Sequence, residues 1–237
     1  MLFELKKAFP KYYKYYGRRI AKRLSPALKD IFTDNFKNFF LDEKILKNLN
    51  DIQYQSLNFN SKFKKNIIEI GFGDGKHLFS LAQENKDTHF IGCEVFINGL
   101  GKALKKIVDN NLTNISLCGL NCLYLLENIK DSSINKIFII NPDPWEKKRH
   151  FKRRLINKEF IALMYKKIEN NGKVIITTDS SSYFLSILEI IKNEEIDFEE
   201  TVQKILKKDD ELYGISKYQK KGIEKGRNIH FVELKKI

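Results

Sequence analysis

The sequence predicts an α/β fold: a doubly wound, mostly parallel sheet with a basic N-terminal extension ahead of it. Three observations carry that prediction. From residue 66 onward, short continuous Ile/Val/Phe runs alternate with helix-period segments, the pattern of strands covered on both faces by crossover helices. The first of those runs ends in a glycine-rich turn, Gly71-Phe72-Gly73-Asp74-Gly75. The chain has 237 residues, 42% hydrophobic and 31% charged, which suits one soluble α/β domain with an appendage.

The elements follow in order. From Lys6 to Arg23, Tyr12, Tyr13, Tyr15 and Tyr16 interleave with Lys11, Lys14, Arg18, Arg19, Lys22 and Arg23. Aromatic and basic residues mixed in this way suit an arm lying along a nucleic-acid backbone; a solvated terminus is the plain alternative. Ser25-Pro26 marks a helix start, with Ser at N-cap and Pro at the first helical position. Residues 1–60 are thus expected to form a basic arm and helical extension, and 61–237 the main domain. Within it, strands are expected near 66–71, 88–94, 114–118, 136–140 and 173–178. Helices are expected near 75–85, 97–110, 121–129, 156–169 and 182–193, with two further strands near 198–206 and 229–235.

Composition narrows the function classes. A net charge of +13 favours anionic partners, nucleic acid or an anionic membrane surface. No apolar run reaches the roughly 18–20 residues that span a bilayer, and Met1–Lys7 lacks the apolar region of a secretory signal. A cytoplasmic protein without membrane contact, monomeric or homodimeric, is the expectation. Cys93, Cys118 and Cys122 form no C-x-x-C pair, and the four histidines show no ligand spacing, so no metal site is expected.

In doubly wound sheets, ligands bind at the carboxyl ends of the strands. Glu69 and the glycines Gly71, Gly73 and Gly75 stand at the first such end. Glu94, which can accept bonds from both ribose hydroxyls, stands at the second. Asn121 follows the third strand, Asp143 the fourth and Asp179 the fifth. The loop is G-x-G-x-G with Lys76 next, where a dinucleotide site wants G-x-G-x-x-G. Glu69 would repel a pyrophosphate and suits a cationic cofactor such as S-adenosylmethionine. Asn141-Pro142-Asp143-Pro144-Trp145 then holds an acid and an indole on a stiff turn, because Pro fixes φ and ends the ladder. Six Lys/Arg side chains follow between Lys147 and Arg154, a surface for a polyanion.

Glu69-Ile70-Gly71-Phe72-Gly73-x-Gly75, Gly92-x-Glu94-Val95, Pro142-Asp143-Pro144-Trp145-x-Lys147-Lys148-Arg149-His150-x-Lys152-Arg153-Arg154 and Thr178-Asp179 together closely resemble the bacterial tRNA (guanine-N7-)-methyltransferase family. Gly17-Arg18-Arg19 with Leu24-Ser25-Pro26 and Ser216-Lys217-Tyr218-Gln219 extend the resemblance over nearly the whole chain. It implies a seven-stranded, Rossmann-like class I methyltransferase fold that methylates guanine 46 in the tRNA variable loop. By resemblance, Glu69, Glu94, Asn121 and Asp143 line the S-adenosylmethionine site. Lys147, Asp179 and Ser216, Lys217, Tyr218 and Gln219 contact tRNA, with Arg153 and Arg154 in the same basic run. Asn121, Asn141, Ser216 and Gln219 depart from the family's usual residues; Asn121 keeps an acceptor oxygen, and Gln219 loses a charge.

The chemistry agrees. Guanine N7 carries an in-plane lone pair and no proton, so its methylation needs alignment rather than a general base. Asp143 is the candidate catalytic group, stabilising the purine as it becomes cationic, with Trp145 shaping the pocket. Three other readings are an amino-group methyltransferase using the Asn-Pro-x-Pro-Trp turn, a non-catalytic RNA-binding protein on the same fold, and a dehydrogenase.

Overall fold

The computed structural model describes residues 16, 24–41, 63–192, 197–206, 223–224 and 226–237. Most of the expected basic arm and all of Ser216–Gln219 lie outside the described residues. Seven strands form one sheet in the order β3-β2-β1-β4-β5-β7-β6. The pairs β1–β2, β2–β3 and β4–β5 are parallel, and β7 runs antiparallel to both β5 and β6. The strands are β1 (Lys65–Ile70), β2 (Thr88–Cys93), β3 (Ile115–Cys118), β4 (Ile134–Ile140), β5 (Ile168–Thr178), β6 (Phe198–Leu206) and β7 (Ile229–Lys236). The mostly parallel α/β sheet expected from the apolar runs is therefore present.

The chain divides into two compact units, Met1–Lys130 and Asp131–Ile237. In the first, α1 (Pro26–Phe39) begins where Ser25-Pro26 predicts it. The Ser25 carbonyl accepts from the amides of Leu28 and Lys29, both at 3.1 Å, and its Oγ accepts from Leu28 at 3.3 Å, which satisfies the open first turn. Helices α2 (Lys76–Glu84), α3 (Ile97–Asp109) and α4 (Cys122–Glu127) follow successive strands. β2 is buried at every position, as a strand with helices on both faces must be. Phe32, Phe72, Leu78, Phe90, Leu100 and Leu104 lie in the core packed around it.

The second unit carries β4–β7, α5 (Lys158–Lys167), α6 (Ser181–Ile191) and a 3-10 helix at Lys148–Arg153. Two boundaries differ from expectation. The helix expected to run through residue 169 stops at Lys167, and β5 begins at Ile168 rather than near 173. Asn171 adopts φ +64°, a conformation Asn tolerates. The β4–β5 register accordingly jumps from Ile134↔Ile168 to Lys136↔Lys173, so Asn171-Gly172 is taken up as a bulge inside the strand. The basic stretch after Trp145 winds into the 3-10 helix. Among the described residues no helix is long and apolar enough to cross a membrane.

Candidate active site

At the carboxyl ends of β1–β3 the polar groups turn inward and are used by the backbone. Gly71, Gly73 and Gly75 take φ of +73°, +62° and +70°, a region L side chains avoid. Glu94 knits this loop to the start of α3. Its Oε2 accepts from the Gly73 amide at 2.9 Å, and its Oε1 accepts from the amides of Val95 and Phe96, both at 2.8 Å. A Cβ at Gly99 would stand 2.2 Å from the Gly73 carbonyl oxygen, whereas one at Gly71 would meet open space. The loop is thus closed against α3 on one side and open on the other. Lys106 Nζ donates to the Asp74 carbonyl at 2.9 Å, and burial lowers its pKa. Glu69 is only 2% exposed, and its Oε2 lies 3.0 Å from His77 Nδ1 on α2. Asn121 caps α4, its Oδ1 accepting from Leu123 N at 2.9 Å; the second lone pair of that oxygen remains for another donor.

The three cysteines behave as apolar residues. Cys93, buried, is held protonated by its bond with Cys118 and by burial, and burial pushes the Cys122 thiol up to about 12. The described residues contain no cluster of three or more metal-ligating side chains.

At the end of β4 the arrangement is reversed. Asp143 is exposed, and the turn around it is strained and braced. Asn141 and Trp145 both sit at positive φ, +49° and +43°, which Asn tolerates but which costs a residue such as Trp about 1–2 kcal/mol. Asn141 N donates to the Thr177 carbonyl at 3.0 Å, and its Oδ1 accepts from the Thr177 hydroxyl at 3.0 Å. The indole of Trp145 lies 5.0 Å beneath the Arg153 guanidinium and meets His150 edge-on at 5.8 Å. Lys147, Lys148, Arg149 and Lys152 are exposed. Asp179, after β5, pairs with Arg227 at 2.7 Å.

A family model described as "Putative methyltransferase" matches residues 64–232, a span that contains every candidate side chain described above. A tRNA (guanine-N(7)-)-methyltransferase of Buchnera aphidicola subsp. Baizongia pistaciae is 34% identical over 207 residues, 85% of each chain. The chain belongs to the tRNA (guanine-N7-)-methyltransferase family. A bifunctional methyltransferase of Rickettsia prowazekii is 34% identical over 224 residues, 92% of this chain, and the chain spans 40% of that relative's length. Among solved structures, a 30S ribosomal A1408 methyltransferase from an uncultured bacterium superposes with TM-score 0.56 at 22% identity. That superposition covers 79% of this chain and 94% of the other, and it supports the fold.

Within this family member, one basic residue stands apart from its neighbours. Arg154, expected among the tRNA-contacting cations, is 8% exposed and is consumed by contacts inside its own unit. Other site residues carry little sequence signal. Gly99 and Gly101 inside α3 are costly in a helix and so hint at close approach. Nothing in the sequence marks Lys106, His77 or Arg227 as partners of the loop, of Glu69 and of Asp179.

Proposed function

We propose that this chain transfers the methyl group of S-adenosylmethionine to N7 of a guanine in tRNA, at variable-loop position 46, and acts in the cytoplasm. The observation that carries the reading is the exposed carboxylate of Asp143, set on a turn braced at Asn141 and Trp145 and followed at once by exposed cations. The residues present suit the cofactor. The glycine loop is open beside Gly71, Glu94 can accept from ribose hydroxyls, and Glu69 supplies negative charge near a cationic donor. S-adenosylmethionine, when bound, supplies an electrophilic methyl on a sulfonium.

The chain's own work is binding and orientation. Glu94 fixes the loop through three amides, and its carboxylate is the kind of group that accepts from ribose hydroxyls. Asp143 holds the guanine edge and offsets the positive charge that develops on the purine. No residue needs to remove a proton from N7. Lys147, Lys148, Arg149 and Lys152 meet the RNA backbone. Asp143, inserted between the two prolines and exposed, favours this over amino-group transfer. The test is incubation with labelled S-adenosylmethionine and unmodified tRNA, followed by nucleoside mass spectrometry. Label in 7-methylguanosine at position 46 is the expected result; label on an exocyclic amine, or none, overturns the reading. Asp143→Ala should lower single-turnover methylation at saturating tRNA by about 10²–10³-fold.

A further inference from the structure

Arg154 directly follows the 3-10 helix, in the middle of the chain's densest basic run, yet it does not share that run's exposure. Its Nε donates to the Pro144 carbonyl at 2.9 Å, and its Nη1 donates to Ser186 Oγ at 3.1 Å. The Ser186 hydroxyl spends its hydrogen on the Tyr183 carbonyl at 2.9 Å, so it offers Arg154 only lone pairs. The guanidinium also lies over the Phe151 ring at 3.8 Å and the Tyr183 ring at 4.6 Å. Tyr183 is fixed in turn, its hydroxyl accepting from Ile156 N at 2.9 Å. No carboxylate among the described residues pairs with Arg154, and its Nη2 is buried without a partner. A cation so placed is costly unless its remaining bonds hold something in return.

What it holds is the peptide between Pro144 and Trp145, the residue at φ +43°. Strain of that kind persists only where the surroundings over-determine it. Thr177 secures the Asn141 end of the turn, and Arg154 secures the Trp145 end. We propose that Arg154 is a positioning residue: braced by Ser186 and Tyr183, it fixes the Asp143-Pro144-Trp145 turn in its working geometry and does not contact tRNA. The proposal rests on the methyl-transfer reading for its kinetic consequence. Displacing a positioned group by about 1 Å can cost on the order of 10²-fold in rate.

The test uses the full chain and three variants, Arg154→Lys, Ser186→Ala and Lys152→Ala, with Trp145 as an internal probe because it is the only tryptophan. Lysine keeps the charge but cannot donate to Pro144 and Ser186 together from a flat fork. Arg154→Lys should slow single-turnover methylation at saturating tRNA by about 30–100-fold. Its tRNA affinity and salt slope should stay within twofold of wild type, roughly the spread a single exposed contact allows. Trp145 emission and acrylamide quenching should change. Ser186→Ala should give a smaller rate loss, roughly three- to tenfold, with the same pattern. Lys152→Ala should do the reverse, weakening tRNA binding without altering Trp145.

If Arg154→Lys instead lost tRNA affinity and salt slope at an undiminished saturated rate, Arg154 would be a phosphate contact and the proposal wrong. If Arg154→Lys fails to fold, Ser186→Ala decides; a rate and Trp145 signal equal to wild type would overturn the proposal. Should wild-type protein methylate no tRNA, the functional reading fails. The Trp145 comparison still judges the clamp, since an unchanged spectrum refutes it without any activity.

Discussion

The strand ends of β1–β3 and the turn after β4 carry the same kinds of side chain and handle them in opposite ways. Glu69 and Glu94 are turned inward, onto His77 and onto three backbone amides. Asp143 is exposed, and its turn is held by neighbours on either side of it, at Asn141 and Pro144. A small cofactor can be held by a frame that is complete beforehand, so its carboxylates can serve the protein's own amides as well. A large polyanion must be met at the surface, so the carboxylate and the cations there stay open to solvent and only the backbone beneath them is fixed. The two regions should therefore fail separately.

The largest effect expected on the first region comes from Glu94→Ala. It removes the acceptor of three amide bonds and, on the proposed reading, of the ribose hydroxyls. Charge-assisted bonds of this kind contribute about 1.5–3 kcal/mol each where groups are left unpaired. Calorimetry should find cofactor affinity reduced by two to three orders of magnitude, roughly 3–4 kcal/mol, with tRNA affinity within a factor of about two. Equal loss of both ligands would break the comparison, because it would mean that the loop and the turn share one frame. Glu94→Gln, which keeps the shape and one acceptor oxygen, should lose less.

A second difference lies in pH response. His89, buried in β2, has its pKa lowered by burial from 6.5 to about 4. Its ring stacks on Phe63 at 5.4 Å and its Nε2 lies 2.9 Å from Ser116 Oγ. Between those two pH values the unfolded chain takes up a proton that the folded chain excludes. The stability tied to neutral His89 is complete above pH 6.5 and is lost as pH falls towards 4, up to about 3 kcal/mol. His89→Phe keeps a ring against Phe63 and cannot titrate. Denaturant midpoints at pH 7 and pH 4.5 should differ by less in this variant than in wild type. An equal difference would place the acid sensitivity elsewhere.

The sheet was legible because both of its signals are strong. Continuous apolar runs such as Ile137–Ile140 and Val174–Ile176 mark buried strands, and the glycine triplet marks the first turn. The bulge at Asn171 was not legible, since Asn-Gly signals a turn at least as well as a bulge, and only the pairing with β4 selects between them. The positions of Glu94 and Asp143 just past the ends of β2 and β4 could be read from their offsets along the chain. Arg154 could not be separated from Arg153, because adjacent arginines in a basic run look alike. Which one goes inward is set by Pro144, Ser186 and Tyr183, two of them about thirty positions downstream. Sequence proximity marked the whole run as basic and did not show that Arg154 turns inward.

The smallest effects sharpen the comparison most, since they ask whether the exposed cations act independently. Lys147 is exposed at the N-terminal end of the 3-10 helix, where its carbonyl accepts from His150 N at 2.7 Å. A side chain that meets phosphate from such a position adds a counterion-release contribution and little else. Lys147→Ala should therefore weaken tRNA binding by roughly three- to tenfold at low salt and reduce the salt slope by about one. The loss should nearly vanish at high salt, where the Debye length is only about 3 Å. Cofactor affinity and the saturated single-turnover rate should not move. If the saturated rate fell as well, Lys147 would be acting on the acceptor base, and the division between a fixed turn and an open cationic surface would have to be redrawn to include it.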